Sequence, residues 1–184
     1  MRAVRTYLEL RRPDARPPRT DAPAVLDAPG APPLTLRRLE RPTAAHYRAL
    51  YAAVGHAYRW HDRDAWSDER LQRHLDDPGV DVWELRDGDA LAGYFELART
   101  GGDVELLYFG LTAPYLGRGL GRHLLERAIV EAWALGAERL VLNTCTLDHP
   151  AALPNYLARG FRVVRTEEYE VALPGDAAPR AASD

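Results

Sequence analysis

The sequence predicts a single α/β (α+β) domain in which helices flank a mixed, mostly antiparallel twisted sheet. Three observations predict this fold class. Short stretches of alternating apolar and polar residues are separated by glycine turns, as in antiparallel hairpins. A helical apolar stripe lies between two later strands, so the connection between them must be a parallel crossover. The 184 residues are enough to bury the core of one such domain.

Residues 1–33 differ from the rest of the chain because they contain seven prolines among scattered Arg and Asp. Such a segment buries little apolar surface and is expected to be extended or loosely held. Val4–Leu10 alternates in part, which fits a strand that joins the domain edge or covers a pocket, and fits a disordered leader equally well. We predict an N-terminal extension over 1–33, a folded domain over 34–174 and a flexible tail over 175–184.

One strand and two helices are predicted at the start of the domain. Thr43 and Ser67 each precede a stretch of helical character, and their hydroxyls can accept a hydrogen bond from a free amide of the first turn. Gly55 and Pro78 are suited to end these two helices. The predicted elements are a strand over Leu34–Leu39, a helix over Ala44–Val54 and a helix from Ser67 to about Asp76.

Strands dominate the remainder of the domain. Asp87-Gly88-Asp89 and Gly101-Gly102-Asp103 are hairpin turn signals between three apolar strands. Gly110, near the end of the third of these strands, is predicted to mark a bulge. The predicted elements are strands over Val80–Arg86, Leu91–Ala98 and Val104–Leu111, a helix over Gly121–Leu135, a strand over Arg139–Thr144, a helix over Pro150–Arg159 and a strand over Phe161–Leu173.

The composition limits the class of protein. A formal net charge of −3 argues against a dedicated nucleic-acid binder. The single cysteine, Cys145, excludes an intrachain disulfide and is interpreted as a small buried hydrophobe. No apolar stretch approaches the ~18 residues that cross a membrane, and the N-terminus lacks an apolar signal core, so we expect a cytoplasmic protein without a membrane partner. Metal-ligand spacing is absent, so no metal is expected.

The segment Gly117–Gly121, Gly-Arg-Gly-Leu-Gly, lies between an apolar strand and a helix. Glycines let the backbone approach a ligand closely, and the amides at a helix N-terminus attract anions. Arg118 and Arg122 add positive charge, so the segment is suited to a pyrophosphate. A tight turn without a ligand is the other interpretation. The spacing departs from the G-x-G-x-x-G of dinucleotide-binding folds, and the chain has no Lys for a P-loop.

Two motifs resemble those of the GCN5-related N-acetyltransferases (GNAT). Leu116–Gly121 resembles the family's [QR]-x-x-G-x-[GA] motif, with Leu116 in place of Gln or Arg. Ala152–Phe161 resembles the A-x-x-x-Y-x-x-x-G-F motif at the end of the fourth helix, and His149 replaces the Asn often found seven residues before its Tyr. The resemblance covers roughly residues 34–173.

This resemblance implies a GNAT-like sheet that splays between its fourth and fifth core strands, counted from Leu34. It implies transfer of an acetyl group from acetyl-CoA to a primary amine of a small molecule or peptide, by direct attack in a ternary complex. The alternative is a sensor or interaction module that binds acetyl-CoA with little or no catalysis. The resemblance is also compatible with a homodimer paired through the apolar final strand.

The resemblance also implies how acetyl-CoA is held. Main-chain amides of the glycine turn would bind the pyrophosphate, and the pantetheine arm would lie along Phe109–Leu111. An N–H group near this strand segment would face the acetyl oxygen, and one such donor contributes about 2.7–4 kcal/mol in other enzymes. The implied cofactor-binding residues are Phe109, Gly110, Leu111, Leu116, Gly117, Arg118, Gly119, Leu120, Gly121, Arg122 and Asn143.

Tyr156 and Glu105 are the implied catalytic residues. Tyr156 would protonate the leaving thiolate, although a Tyr that packs the helix on the sheet would have the same spacing. Glu105 lies 11 residues before Leu116, the strand offset of the catalytic Glu in the histone-acetylating branch of the family. Burial in an apolar strand would raise its pKa, which suits a base. A solvated edge residue or a partner for a nearby Arg is the other interpretation.

Two further residues are alternative bases. Glu96 lies on the neighbouring strand, and His149 follows the end of a strand, where active sites of such sheets collect. Asp148, beside His149, is interpreted as a helix cap.

The segment Tyr58–Trp66 contains two Trp, one Tyr and alternating charges. By resemblance it would shape the acceptor site, with Trp60 and Trp66 as aromatic walls and Asp62 or Asp64 fixing the charge of the amine. Glu96 and His149 would also contribute to this site. The other interpretation is that both Trp residues anchor the segment to the core while its charged residues face water.

Overall fold

The fold is described from a computed structural model that covers residues 2–12, 25–26 and 34–171. The predicted tail over 175–184 and most of the predicted extension over 1–33 lie outside these residues. No helix in the covered ranges is long and apolar enough to cross a membrane.

One mixed sheet holds the strands of the described residues. The strands are β1 (Arg2–Arg11), β2 (Val25–Leu26), β3 (Leu34–Arg38), β4 (Val80–Asp87), β5 (Ala90–Thr100), β6 (Asp103–Leu111), β7 (Arg139–Cys145) and β8 (Arg162–Glu170). The helices are α1 (Ala44–Gly55), α2 (Asp68–Leu75), α3 (Leu120–Ala134) and α4 (Ala152–Leu157). The sheet order is β2-β3-β4-β5-β6-β7-β1-β8, and every neighbouring pair is antiparallel except β6 and β7. This confirms the predicted fold class.

Helices cover both faces of the sheet. On one face α1 and α2 pack against a cluster that includes Tyr47, Leu71 and Tyr94. On the other face α3 packs on the larger core, which includes Leu124 and Phe95. Tyr94 and Phe95 belong to different clusters because successive residues of a strand point to opposite faces.

The parallel pair β6–β7 separates early. Its residue pairs run only from Asp103 with Arg139 to Glu105 with Val141. Beyond these pairs β6 continues to Leu111 and β7 to Cys145. The predicted splay between the fourth and fifth core strands is therefore confirmed, and it leaves a gap at the carboxyl ends of both strands.

Strand β1 lies inside the sheet, between β7 and β8. It pairs with β7 over Arg5–Arg11 and with β8 over Arg2–Glu9. Leu8 and Leu10 are each 1% exposed, so the alternation of this segment buries one of its faces in the core. The strand alternative for Val4–Leu10 is the one that the structure adopts, although in an interior position. Strand β1, from the predicted extension over 1–33, therefore pairs with two strands of the predicted domain over 34–174.

Local signals located the helix starts correctly but misplaced a bulge. The hydroxyls of Thr43 and Ser67 each accept a hydrogen bond of 3.2 Å, from the amides of His46 and Arg70 respectively, as predicted. The bulge expected at Gly110 is wrong, because Gly110 pairs regularly with Tyr94 and the irregularity lies at Leu107. A Cβ at Gly110 would lie 2.5 Å from the side chain of Val54, so this glycine instead lets α1 approach β6.

Replacement of Leu8 by Ala tests whether β1 is an interior strand. We expect the free energy of unfolding in urea to fall by about 2–5 kcal/mol, because a buried side chain is lost from the core. The control is Leu157→Ala, at a side chain that is 46% exposed, and it should change stability by about 0.5 kcal/mol or less. A Leu8→Ala effect as small as that of the control would contradict the interior position.

Candidate functional site

A cavity of about 720 Å³ lies where β6 and β7 separate. Its floor is the free part of β6, residues 106–111, together with Asn143 and Cys145 of β7. The glycine turn and α4 form one side, and residues 58–62 form another. Arg5 of β1 and Tyr169 of β8 complete the wall beyond β7.

The glycine turn presents an open anion site to this cavity. Gly117 and Gly119 have φ values of +73° and +76°, a region that favours glycine, and apart from their chain neighbours no atom of the described residues lies within 4 Å of where a Cβ would stand. Gly119 is the N-cap of α3 and provides no side-chain cap, so the first amides of the helix receive no side-chain acceptor, although the Arg122 amide donates to the Gly119 carbonyl at 3.2 Å. Arg122 lines the same side, and its guanidinium is paired with Glu126 at 3.0 Å. These donors fit a diphosphate group.

Most of the predicted cofactor residues meet at the cavity. Arg118 stacks 5.2 Å from the ring of Tyr115, and Leu120 is 1% exposed in the core, so their side chains do not line it. The predicted residues that do line it are Phe109, Gly110, Leu111, Leu116, Gly117, Gly119, Gly121, Arg122 and Asn143.

Tyr156 reaches the cavity from α4. Its side chain is 6% exposed and packs between the rings of Phe109 and Phe161, with centroids 6.1 and 5.8 Å away. Burial, aided by the negative charge of Asp148, raises its pKa far above the usual value, so its hydroxyl keeps the proton. Asn155 donates a 3.1 Å hydrogen bond to the Gly121 carbonyl, which ties α4 to the glycine turn.

Asp148 does not cap a helix, so that prediction is wrong. It accepts hydrogen bonds from the Thr144 hydroxyl at 2.6 Å and the Cys145 amide at 2.8 Å. The Trp60 indole also donates to it at 3.4 Å. Helix α4 starts after Ala151 without a side-chain cap. Asp148 therefore joins the end of β7 to the 58–62 segment, because its oxygens are nearer to the strand end than to the free amides of α4.

The two predicted carboxylates lie together on the α1–α2 face, outside the cavity lining. Glu96 is fully buried, accepts a hydrogen bond from the Tyr47 hydroxyl, and forms ion pairs with Arg63 at 3.2 Å and His74 at 2.5 Å. Glu105 is half-buried and forms no ion pair within the ranges that the structure covers. Its own burial and the charge of Glu96 raise its pKa, and Arg63 partly opposes this.

The predicted acceptor segment divides into two parts. Trp60 and Asp62 line the cavity; Trp60 packs 5.1 Å from the Tyr108 ring, and Asp62 accepts a 3.4 Å hydrogen bond from the Tyr108 hydroxyl. Trp66 lies away from it, 3.8 Å from the guanidinium of Arg63, which it helps to bury. For Trp66 the structure follows the anchoring interpretation.

His149 lines the cavity beside this segment. Its Nδ1 accepts a 3.1 Å hydrogen bond from the Ala151 amide, and its ring lies 6.1 Å from that of Tyr58.

Sequence reasoning missed Arg5, Arg63 and Tyr169. Arg63 was visible in the acceptor segment, but its pairing with Glu96 depends on how α2 and β5 pack. Arg5 and Tyr169 line the cavity only because β1 lies between β7 and β8. Cys145, interpreted as a buried hydrophobe, also lines the cavity. No local signal indicates these positions, because the strand pairings join residues more than 100 positions apart.

Comparison with known proteins agrees with this geometry. Residues 47–161 match the model of the acetyltransferase (GNAT) family. The chain is 30% identical over 136 residues to N-alpha-acetyltransferase RimI of Mycobacterium tuberculosis, which covers 72% of this chain and 80% of that protein. It is 30% identical over 116 residues to mycothiol acetyltransferase of Corynebacterium efficiens, covering 60% of this chain. The chain matches only 39% of the length of that relative.

Solved structures share the fold. A GCN5-related N-acetyltransferase from Sphaerobacter thermophilus superposes with a TM-score of 0.62 at 20% identity. The match covers 90% of this chain and 49% of that one.

The pH dependence of stability in a Glu105→Gln variant tests whether the Glu105 carboxyl is buried without an ion-pair partner. Below the unfolded pKa of about 4.3 the Glu105 carboxyl is protonated in both states. As pH rises through its raised folded pKa, the wild type must ionise a poorly solvated group and loses stability. We therefore expect the free energy of unfolding of Glu105→Gln to gain on the wild type between pH 4 and neutrality. Glu138→Gln, at an exposed residue, is the control. If the difference in the free energy of unfolding between Glu105→Gln and the wild type stays constant or narrows as the pH rises, this placement is contradicted.

Proposed function

The chain belongs to the acetyltransferase (GNAT) family, and from this premise we propose that it is an acetyl-CoA-dependent N-acetyltransferase. The acetyl group would pass to a primary amine by direct attack within a ternary complex. The observation that carries the proposal is one cavity that joins an uncapped helix N-terminus, the free part of β6 and the protonated Tyr156.

In this proposal the main chain holds acetyl-CoA, which supplies the activated acyl thioester. The amides of Gly117, Arg118, Gly119 and Gly121 are the donors for its diphosphate, and the Arg122 amide, which donates to the Gly119 carbonyl at 3.2 Å, would share its proton with it. The missing Gln or Arg at Leu116 matters little for backbone donors. Beyond Glu105 the edge of β6 that faces β7 has no strand partner, so it can bind the pantetheine arm.

The same free edge provides transition-state stabilisation. Main-chain N–H groups near Phe109–Leu111 have lost β7 as a partner, so they are available to the oxyanion that develops during amine attack. Asn143, at the separated end of β7, adds a side-chain amide to the cavity.

Two proton transfers complete the proposed mechanism. Tyr156 donates its hydroxyl proton to the departing sulfur, a role supported by the position of this side chain on the cavity wall. Glu105 accepts the proton of the attacking amine through water, since its side chain lies outside the lining. His149 lines the cavity and is the alternative base. Glu96 is less suited because three partners already engage it.

The acceptor is proposed to be a small-molecule or peptide amine that enters beside residues 58–62. Trp60 offers an aromatic face and Asp62 a carboxylate, which together suit a cationic amine before it loses its proton. The relatives named for mycothiol and for N-alpha acetylation are compatible with either kind of acceptor.

We also propose a homodimer formed through β8, the last strand of the sheet order. In a two-fold antiparallel pairing about Thr166, Arg165 of one copy lies opposite Glu167 of the other. Residues 2–6 and 162–166 share the pattern Arg-x-Val-Arg-Thr, so β8 already makes an equivalent pairing with β1. In sedimentation experiments Glu167→Arg should dissociate the dimer, and a second change, Arg165→Glu, should restore it. A wild type that sediments as a monomer would contradict the proposed dimer.

Replacement of Gly119 by Ala tests the glycine turn. We expect the calorimetric Kd for acetyl-CoA to rise about tenfold or more, because a Cβ at positive φ is strained and projects beside the free amides. The control is Gly101→Ala, which has a φ of +63° in the β5–β6 turn, away from the cavity. Equal effects of the two substitutions on binding would contradict the proposed diphosphate site.

Replacement of Tyr156 by Phe separates the enzyme from the alternative of a sensor module. Loss of the proton donor should lower kcat by about 10²-fold or more and leave acetyl-CoA binding intact, as thiol release and calorimetry would show. Tyr115→Phe is the matched control, since that hydroxyl donates to Asp87 and does not line the cavity. A wild type that binds acetyl-CoA but acetylates no amine would favour the sensor.

A further inference from the structure

Arg5 places a guanidinium in the cavity wall beyond β7. Its Cα neighbours across the sheet are Cys145 of β7 and Glu167 of β8. The guanidinium carbon lies 4.8 Å from the centre of the Tyr169 ring. Arg5, Cys145 and Tyr169 all line the cavity, so β1 contributes a cation to a site built mainly by later parts of the chain.

This cation has no carboxylate partner among the residues that the structure covers. Glu167, its neighbour on β8, accepts a 3.1 Å hydrogen bond from the Tyr7 hydroxyl and lies 3.4 Å from the guanidinium of Arg165. The Nε atom of Arg5 is buried without a hydrogen-bond partner. The guanidinium is only partly buried and also interacts with the side chains of Tyr7 and Tyr169. Neither of these neighbours is a carboxylate, so the guanidinium can still bind an anion supplied from the cavity.

The acids that line the cavity do not supply that anion. Asp148 is engaged by Thr144, Cys145 and Trp60. Asp62 lies on the 58–62 wall, where it accepts from Tyr108.

A second cation lines the cavity on the wall formed by residues 58–62. Arg59 lines it, and within the described ranges Arg59 is the non-glycine residue with a positive φ, at +57°. A strained backbone of this kind is maintained only where the surrounding structure requires it.

The position of Arg5 separates it from the proposed diphosphate site. The glycine turn follows β6, whereas Arg5 lies on the far side of β7. Its neighbours are the ends of β7 and β8, and the 58–62 segment that we assign to the acceptor reaches the end of β7 through Asp148.

We propose that the acceptor carries an anionic group, a carboxylate or a phosphate, and that Arg5 binds it. The planar fork of a guanidinium suits both groups, because it can donate two parallel hydrogen bonds to either. With Asp62 on a different wall, an acceptor that is cationic at its amine and anionic elsewhere enters in one orientation. This inference rests on the proposed acetyltransferase function and names its substrate class.

The test compares amines with and without the anion. The probes are β-alanine against propylamine, O-phosphoethanolamine against ethanolamine, and alanine against alaninamide. For Arg5→Gln we expect kcat/KM to fall about tenfold or more for the anionic member of a pair and to change little for its neutral partner. Arg5→Lys should recover part of the loss. Arg2→Gln, on an exposed residue of the same strand, should behave as wild type. Thermal melting verifies that each variant is folded.

Calorimetry of the same anionic probes against the CoA-loaded protein gives a second readout that needs no turnover. Saturable binding that Arg5→Gln abolishes supports the inference. Equal loss for both members of every pair, or no anion preference in either turnover or binding, overturns it. An Arg5→Gln variant that binds acetyl-CoA more weakly, but 3′-dephospho-acetyl-CoA normally, also overturns it, since Arg5 would then serve the coenzyme. A wild type that fails to bind acetyl-CoA instead refutes the proposed function.

Discussion

The short pairing of β6 with β7 is the constraint from which the site follows. Three residue pairs join the strands, and beyond Glu105 and Val141 each strand continues without the other. Backbone N–H and C=O groups released in this way must be satisfied by something other than the sheet. Gly110 keeps α1 close to the free part of β6, and the glycine turn leads directly from β6 into α3. The gap therefore has the free part of β6 as its floor and the glycine turn at one end.

Strand β1 pairs with the edge of β7 that faces away from β6. It pairs with β7 along residues 5–11 and carries β8 on its far edge, so without it β7 and β8 would have no connection in the sheet. Leu8 and Leu10 contribute to the main core. The same strand brings Arg5 to the cavity, so one segment has both a structural and a chemical consequence.

The charged groups of the α1–α2 face differ in how far their partners satisfy them. Glu96 is buried with Tyr47, Arg63 and His74 around it, an arrangement that holds α2 and the acceptor segment to β5. A buried ion pair of this kind does not by itself guarantee stability. It specifies a single geometry, and it does so only while every partner is present. Among the described residues Glu105 and Arg5 have no charged partner of this kind. Arg5 lines the cavity, whereas Glu105 lies outside its lining. Both are therefore groups on which the proposed chemistry draws.

The sequence by itself determined the local elements and the glycine turn between β6 and α3. Period-two and helical patterns, the hydroxyl caps at Thr43 and Ser67, and the glycines at 117 and 119 act over a few residues, so they can be recognised without the fold. The spacing of Tyr156 to Gly160 is likewise a short-range pattern that can be recognised without the fold. Only the tertiary structure decided that Val4–Leu10 lies inside the sheet, that Asp148 bonds the end of β7, and that Trp66 packs on Arg63 rather than in the cavity. These outcomes depend on which surfaces remain unpaired once the strands assemble. Residues distant in the chain compete for those surfaces, so no local pattern records the result.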